Sequence, residues 1–222
     1  MAQPKVARPG FSLNEQRLRM KEILRILSAA YPDAECSLFF KDPFQLLIAT
    51  ILSAQCTDDR VNQVTPALFK RFPGPQEMAK ADIKEIESLI RTTGFFRNKA
   101  KSILECSRAL VEMHGGHVPR DLDSLTALRG VGRKTANVVL GVAYAIPGLV
   151  VDTHVGRISR RMGFTRHLDA TKVEYEMMKI VSQDFWIQYA HVLIRHGRAV
   201  CTARRAFCDD CPISRYCPKI GV

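Results

Sequence analysis

The chain has 222 residues, 46% hydrophobic and 25% charged, and 33 Lys and Arg against 22 Asp and Glu leave a formal net charge of +11. This composition is globular and excludes disordered, collagenous and low-complexity classes. The longest apolar run, Phe44–Ala54, is interrupted by Gln45, Thr50 and Ser53 and falls short of the roughly 18 residues that span a bilayer. The basic excess points to a polyanion, nucleic acid before an anionic membrane surface. The N-terminus lacks the apolar core of a secretory signal, although its first 13 residues, basic and acid-free, keep a mitochondrial transit segment open. The expectation is a soluble intracellular protein without a membrane partner.

Helical spacing runs almost throughout. Met20, Ile23, Leu24 and Leu27 place an apolar stripe on a helix over Arg17–Ala30. Asp42-Pro43 reads as an N-cap followed by proline at the first helical position, opening Pro43–Ala54, which is apolar nearly all round and suits the centre of a bundle. Thr57-Asp58-Asp59 caps the next helix; Lys84–Arg91 and Arg97–His114 are amphipathic, the second closed by Gly115-Gly116. Asp123–Leu128 and Lys134–Ala145 flank a tight glycine turn, and Arg157–Arg161, Thr171–Gln183 and Phe185–His196 lead to the C-terminal segment. No stretch alternates with period 2, so the fold class is all-α, in two helical lobes.

Seven cysteines, an odd number, argue against a disulfide framework in an intracellular chain. Four of them, Cys201, Cys208, Cys211 and Cys217, stand in the pattern C-x6-C-x2-C-x5-C. Soft ligands so close together call for zinc or an iron–sulfur cluster. A single short step between longer loops favours the separated corner irons of a 4Fe–4S cluster over a zinc site. Arg204 and Arg205 in the six-residue loop read either as a phosphate clamp or as a solvated basic face.

The stretch LRGVGRKTA, Leu128–Ala136, is too short for a dinucleotide fingerprint and lacks Walker spacing. It fits a hairpin between two helices. Gly130 and Gly132 allow a sharp turn and close approach of another molecule, and the first amides of the following helix can receive a phosphate. Beside Arg133, Lys134 reads in two ways. It is a phosphate contact, or it is a nucleophilic amine whose charge is disfavoured by its cationic neighbour, the helix N-terminus and partial burial. Asp152, after the apolar Leu149-Val150-Val151, is a helix N-cap, a carboxylate that stabilises a cationic sugar, or both.

These stretches together resemble the endonuclease III family of DNA glycosylases. LSAQCTD (Leu52–Asp58), LRGVGRKTANVVL, VDTHVGR and the cysteine tail occur in family order, and the likeness runs from about Arg17 onward. The resemblance implies a six-helix barrel domain over residues 36–146, with a helix-hairpin-helix at about 123–145. It also implies an iron–sulfur domain from residues 1–35 with 147–222, and residues 1–14 as a flexible tail. It implies a monomeric base-excision glycosylase and AP lyase that removes oxidised pyrimidines from damaged double-stranded DNA. The expected location is the cytoplasm, with the nucleoid, or the nucleus or mitochondrion of a eukaryote. On this reading Lys134 is the nucleophile, Asp152 the catalytic carboxylate, and the four cysteines ligate a 4Fe–4S cluster. Gln55 fills the gap of an extruded base, Phe95 is the wedge, and Gly130, Gly132, Arg133, His154, Arg204 and Arg205 contact DNA. Two positions depart from the family pattern: Phe95, where an aliphatic residue is usual and a core aromatic is the alternative, and Arg129, where proline is common. The rivals are an adenine mismatch glycosylase, disfavoured by Lys134, and a non-catalytic DNA-binding module with a structural metal.

Overall fold

Short polar side chains open most of the helices. In the computed structural model, which describes residues 10–222, Ser12, Asp42, Thr57, Asp82, Asp121, Asp152 and Asp169 each accept a backbone N–H of the turn they precede. Eleven α-helices follow in chain order: α1 Leu13–Ala30, α2 Pro43–Leu52, α3 Asp58–Arg71, α4 Pro75–Ala79, α5 Ile83–Leu89, α6 Phe96–His114, α7 Leu122–Ala127, α8 Arg133–Tyr144, α9 Thr153–Arg161, α10 Ala170–Met178 and α11 Trp186–Ala199. The described residues contain no strand, and pairing is limited to an isolated antiparallel bridge between Cys201 and Ala206. None of the described helices is long and apolar enough to cross a membrane.

Several boundaries differ from the sequence expectation for local reasons. Helix α1 starts at Leu13 because Ser12 and Glu15 cap each other reciprocally, so two residues of the expected tail are helical. Residues 1–9 of that tail lie outside the described residues. Helix α2 ends at Leu52, short of Ala54, because the chain turns into a left-handed Gln55 (φ 52°). Helix α10 stops at Met178 rather than Gln183, since the amides of Ile180 and Val181 both return to the Met177 carbonyl. Helix α4 was not anticipated; five residues opened by Pro75 are too few to show a period.

The chain divides into two units, Ser37–Ile146 and the described residues up to Cys36 with Pro147–Val222. In the first, α2 is buried from Phe44 to Leu52, and α3, α6 and α8 pack against it. Helix α6 in turn carries α4 and α5, while α7 lies on α8. In the second, α1 and α9 pack on α11. Its centre is the fully buried Tyr189, whose hydroxyl lies 2.6 Å from the Ser159 hydroxyl, which itself donates to the Val155 carbonyl at 2.7 Å. The ring of Tyr189 fills the core whatever its substituent, so Tyr189→Phe should cost only the hydrogen bond, about 1 kcal/mol in urea unfolding, with the helical circular dichroism unchanged.

Candidate functional site

Four residues, Leu128–Val131, and the N-cap Gly132 join α7 to α8. Leu128 and Val131 are buried, and the Val131 amide donates to the Leu128 carbonyl, which closes the turn. Gly130 is at φ +80°, and a Cβ there would meet the Ser102 Cβ at 2.8 Å and the Ile51 Cγ2 at 3.4 Å. Backbone and packing both require glycine at this position. Gly132 differs: its φ of −90° suits any residue, and a Cβ there would have nothing within 4 Å. No side chain caps α8, so the amides of Lys134 and Thr135 face outward at the positive end of the helix. Lys134 is exposed, so the partial burial expected for it is not found. Arg129 pairs with Glu105 of α6 at 3.1 Å, so the turn is tied to the neighbouring helix by the residue that departs from the family pattern.

The same unit presents Gln55 and Phe95. Both are exposed, and both are non-glycine residues in the left-handed region, at φ 52° and 47°. Phe95 follows Gly94 (φ 68°) and is 65% exposed, so it is not a core aromatic. Such a backbone costs about 1 kcal/mol or more for a bulky residue and persists only where neighbours hold it.

In the other unit, Asp152 caps α9, its Oδ1 accepting the Val155 amide at 2.8 Å. His154 is half-buried and accepts a hydrogen bond from Arg157 on Nδ1 at 3.1 Å. Because a guanidinium only donates, a neutral His154 holds its proton on Nε2. Burial pulls its titration below the ordinary imidazole range, Asp152 draws it back up, and Arg157 and Arg198 press it further down. Gly197 of α11 admits α9 this closely: a Cβ there would fall 2.6 Å from the His154 Nδ1.

Cys201, Cys208, Cys211 and Cys217 line one pocket with Arg161, His196 and Ile213. Two arginines of α9 hold the loop between the first two cysteines. Arg157 donates to the carbonyls of Gly197 and Cys201, and Arg161 to the Cys201 sulfur at 3.2 Å and the Thr202 carbonyl at 2.7 Å. The His196 Nε2 lies 3.6 Å from the Cys211 sulfur, and its Nδ1 meets the Tyr31 hydroxyl at 3.1 Å. Burial lowers the His196 imidazole to about 4, so it is neutral near pH 7. Burial first, and then the neighbouring cysteines, push the Cys211 and Cys217 thiols upward. Raised in this way, these two groups stay neutral thiols on their own, and holding them as thiolates takes a cationic partner. Among the described residues no three His, Cys, Asp or Glu side chains are arranged to hold a single metal ion. Arg204 and Arg205 are exposed on the same loop, Arg205 stacking over Phe207. Sequence reading missed Arg157, Arg161, His196 and Gly197, whose roles appear only when α9 and α11 cross.

Residues 48–183 match the HhH-GPD superfamily base excision DNA repair protein family. Endonuclease III of Synechocystis sp. is 51% identical over 205 residues, covering 92% of this chain and 94% of that protein. Two solved structures superpose with TM-score 0.87 at 42% identity: a non-covalent endonuclease III–DNA complex, covering 91% of this chain and 95% of that one, and a trapped endonuclease III–DNA covalent intermediate, covering 91% and 96%.

The two glycines of the hairpin should separate in a stability measurement. Gly130→Ala should lower unfolding free energy by about 2 kcal/mol or more, from backbone strain and the collision with Ser102, whereas Gly132→Ala should cost less than about 1 kcal/mol, the preference of an N-cap for glycine over alanine.

Proposed function

We propose a chemical role for each part of this site from one premise: the chain belongs to the endonuclease III family, within the HhH-GPD superfamily of base excision DNA repair proteins. It is a bifunctional DNA glycosylase and AP lyase. In our reading the hairpin receives a phosphate of damaged double-stranded DNA. Gly132 supports this most directly: its backbone angle and internal packing would accept a side chain, and its missing Cβ leaves the first amides of α8 open to an incoming molecule. Backbone amides grip phosphate without reading sequence, which suits an enzyme that searches for lesions.

Lys134, two residues beyond that glycine, is the nucleophile. Its neutral Nζ attacks C1′ of an oxidised pyrimidine nucleotide, and the bond from C1′ to the base breaks, the base leaving with a proton. Opening of the sugar ring leaves the carbon joined to nitrogen as a protonated Schiff base. Loss of a C2′ proton then expels the 3′ phosphate, which cuts the strand. Asp152 stabilises the cationic sugar: capping engages its Oδ1, and the second oxygen is left for that task. Gln55 and Phe95 occupy the space vacated by the extruded base, and Arg133, His154, Arg204 and Arg205 hold the flanking strand. The working species is a monomer, placed by its substrate in the cytoplasm at the nucleoid.

Cys201, Cys208, Cys211 and Cys217 would hold a 4Fe–4S cluster. What supports this is an all-thiol donor set around one pocket, with burial and mutual repulsion that call for a cationic occupant. When bound, the cluster supplies a rigid staple that presents Arg204 and Arg205.

Incubation with a duplex carrying one thymine glycol in the presence of borohydride should yield a covalent protein–DNA band, and Lys134→Gln should abolish that band while DNA binding survives. Undiminished trapping by the variant would remove Lys134 from the chemistry. The purified protein should be yellow-brown, and Cys217→Ser should bleach the visible absorbance and weaken DNA binding together; a colourless zinc protein with full binding would refute the cluster.

A further inference from the structure

A lysine amine withdrawn from water is unfavourable unless the ammonium is put to use. Lys99, in the first turns of α6, is only 6% exposed, and its Nζ donates to the Thr93 carbonyl at 2.7 Å. Thr93 ends the short 3-10 turn Arg91–Thr93 and directly precedes the left-handed pair Gly94 and Phe95. The Lys99 amide, for its part, donates to the Phe95 carbonyl at 3.1 Å. One residue therefore holds the carbonyl before this pair with its side chain and the carbonyl after it with its backbone. Burial pulls the Lys99 amine down, and the Cys56 sulfur draws it back up. The 3-10 turn itself packs against α3, the helix that the Gln55–Thr57 turn leads into.

We propose that Lys99 is a positioning residue that fixes the Phe95 loop in its preformed shape for base extrusion, while itself touching neither DNA nor the reacting atoms. The proposal rests on the reading of Phe95 as a residue that enters the DNA stack. A left-handed non-glycine residue keeps its conformation only where its surroundings over-determine it. Without the ammonium, the Thr93 carbonyl loses its charged donor and the Phe95 loop is released to other conformers. Extrusion must then order that loop at every encounter. Chemistry at an already unstacked nucleotide is unaffected, because no wedge is needed there.

The test compares Lys99→Met, which keeps the apolar stem and removes the charge, on two substrates. On a thymine glycol duplex kcat/KM should fall about tenfold, whereas cleavage of a single-stranded oligonucleotide bearing an abasic site should change less than about twofold. A 2-aminopurine placed beside the lesion should show correspondingly less unstacking on binding. Adding Lys99→Met to Phe95→Ala should cause no further loss on the duplex. Equal losses on both substrates would mark a merely structural lysine and overturn the proposal, as would an unchanged duplex rate. If Lys99→Met does not yield folded protein, Lys99→Gln, which keeps a polar end in the pocket, is judged by the same ratio. Phe95→Ala tells the two levels apart. If it leaves the duplex-to-single-strand ratio unchanged, the wedge reading fails and the proposal falls with it. If it lowers the ratio and the lysine variants do not, the lysine link alone is wrong.

Discussion

Helix α2 has no face to give to water. Nine of its ten residues are buried, and its two buried polar side chains are satisfied at once, Gln45 accepting the Lys41 amide and Thr50 donating to the Leu46 carbonyl. A cylinder apolar all round must be covered all round, and α3, α6 and α8 supply the cover. The exposed loops that carry the candidate residues are the places where these covering helices start or where α2 ends: Gln55 after α2, Phe95 before α6, and Gly130 and Gly132 before α8. Their placement is inherited from the packing beneath them. Gly130 makes this concrete, since the two side chains its missing Cβ makes room for, Ile51 and Ser102, belong to α2 and α6. A close-packed interior transmits such constraints to its rim.

The other unit solves a different problem, holding an irregular loop with few apolar residues. Arginines do this work from inside. Arg157 and Arg161 stand one turn apart on α9 and donate to carbonyls of residues 197, 201 and 202, while Arg19 stacks on Phe164 at 4.0 Å and donates to the Met162 carbonyl. The net charge of +11 therefore overstates the basic surface offered to a polyanion. Arg19, Arg157 and Arg161 are employed as hydrogen-bond donors to the chain itself, and Arg129 is matched by Glu105. Arg204 and Arg205 sit on the loop that the half-buried Arg157 and Arg161 hold in place, so one set of charges positions another.

Much of this was legible in the residues. Helix starts carry their signal locally, in Asp42-Pro43 or Thr57-Asp58, and those were read to the residue. The all-helical class followed from spacing, and the family from motifs in order. What escaped depended on contacts remote in sequence. Burial of Lys134 was inferred from its neighbours along the chain, whereas exposure is decided by what packs over it. The bonds of Arg161 to the Cys201 loop span about forty residues, and no local pattern marks such a pair. Residue 95 suits wedge and core alike by its aromatic character; its exposure removes the core alternative, and exposure is not written in a periodicity.

Glycine at position 132 and phenylalanine at position 95 are the same argument seen from opposite sides. At Gly132 the chain gives up a side chain that its own backbone and packing would accept, so the benefit of the vacancy lies outside the molecule. At Phe95 it keeps a large side chain where its own backbone would prefer none and where water rather than the core surrounds the ring, so the benefit of the ring also lies outside. Folding stability alone would reverse the choice at Phe95, favouring glycine or asparagine, and at Gly132 it would be served as well by a polar N-cap such as asparagine, aspartate or serine. Both departures occur at the ends of helices packed on α2, where a rigid base tolerates local conflict. On the proposed reading, what these two positions accommodate is the nucleic acid that the chain binds.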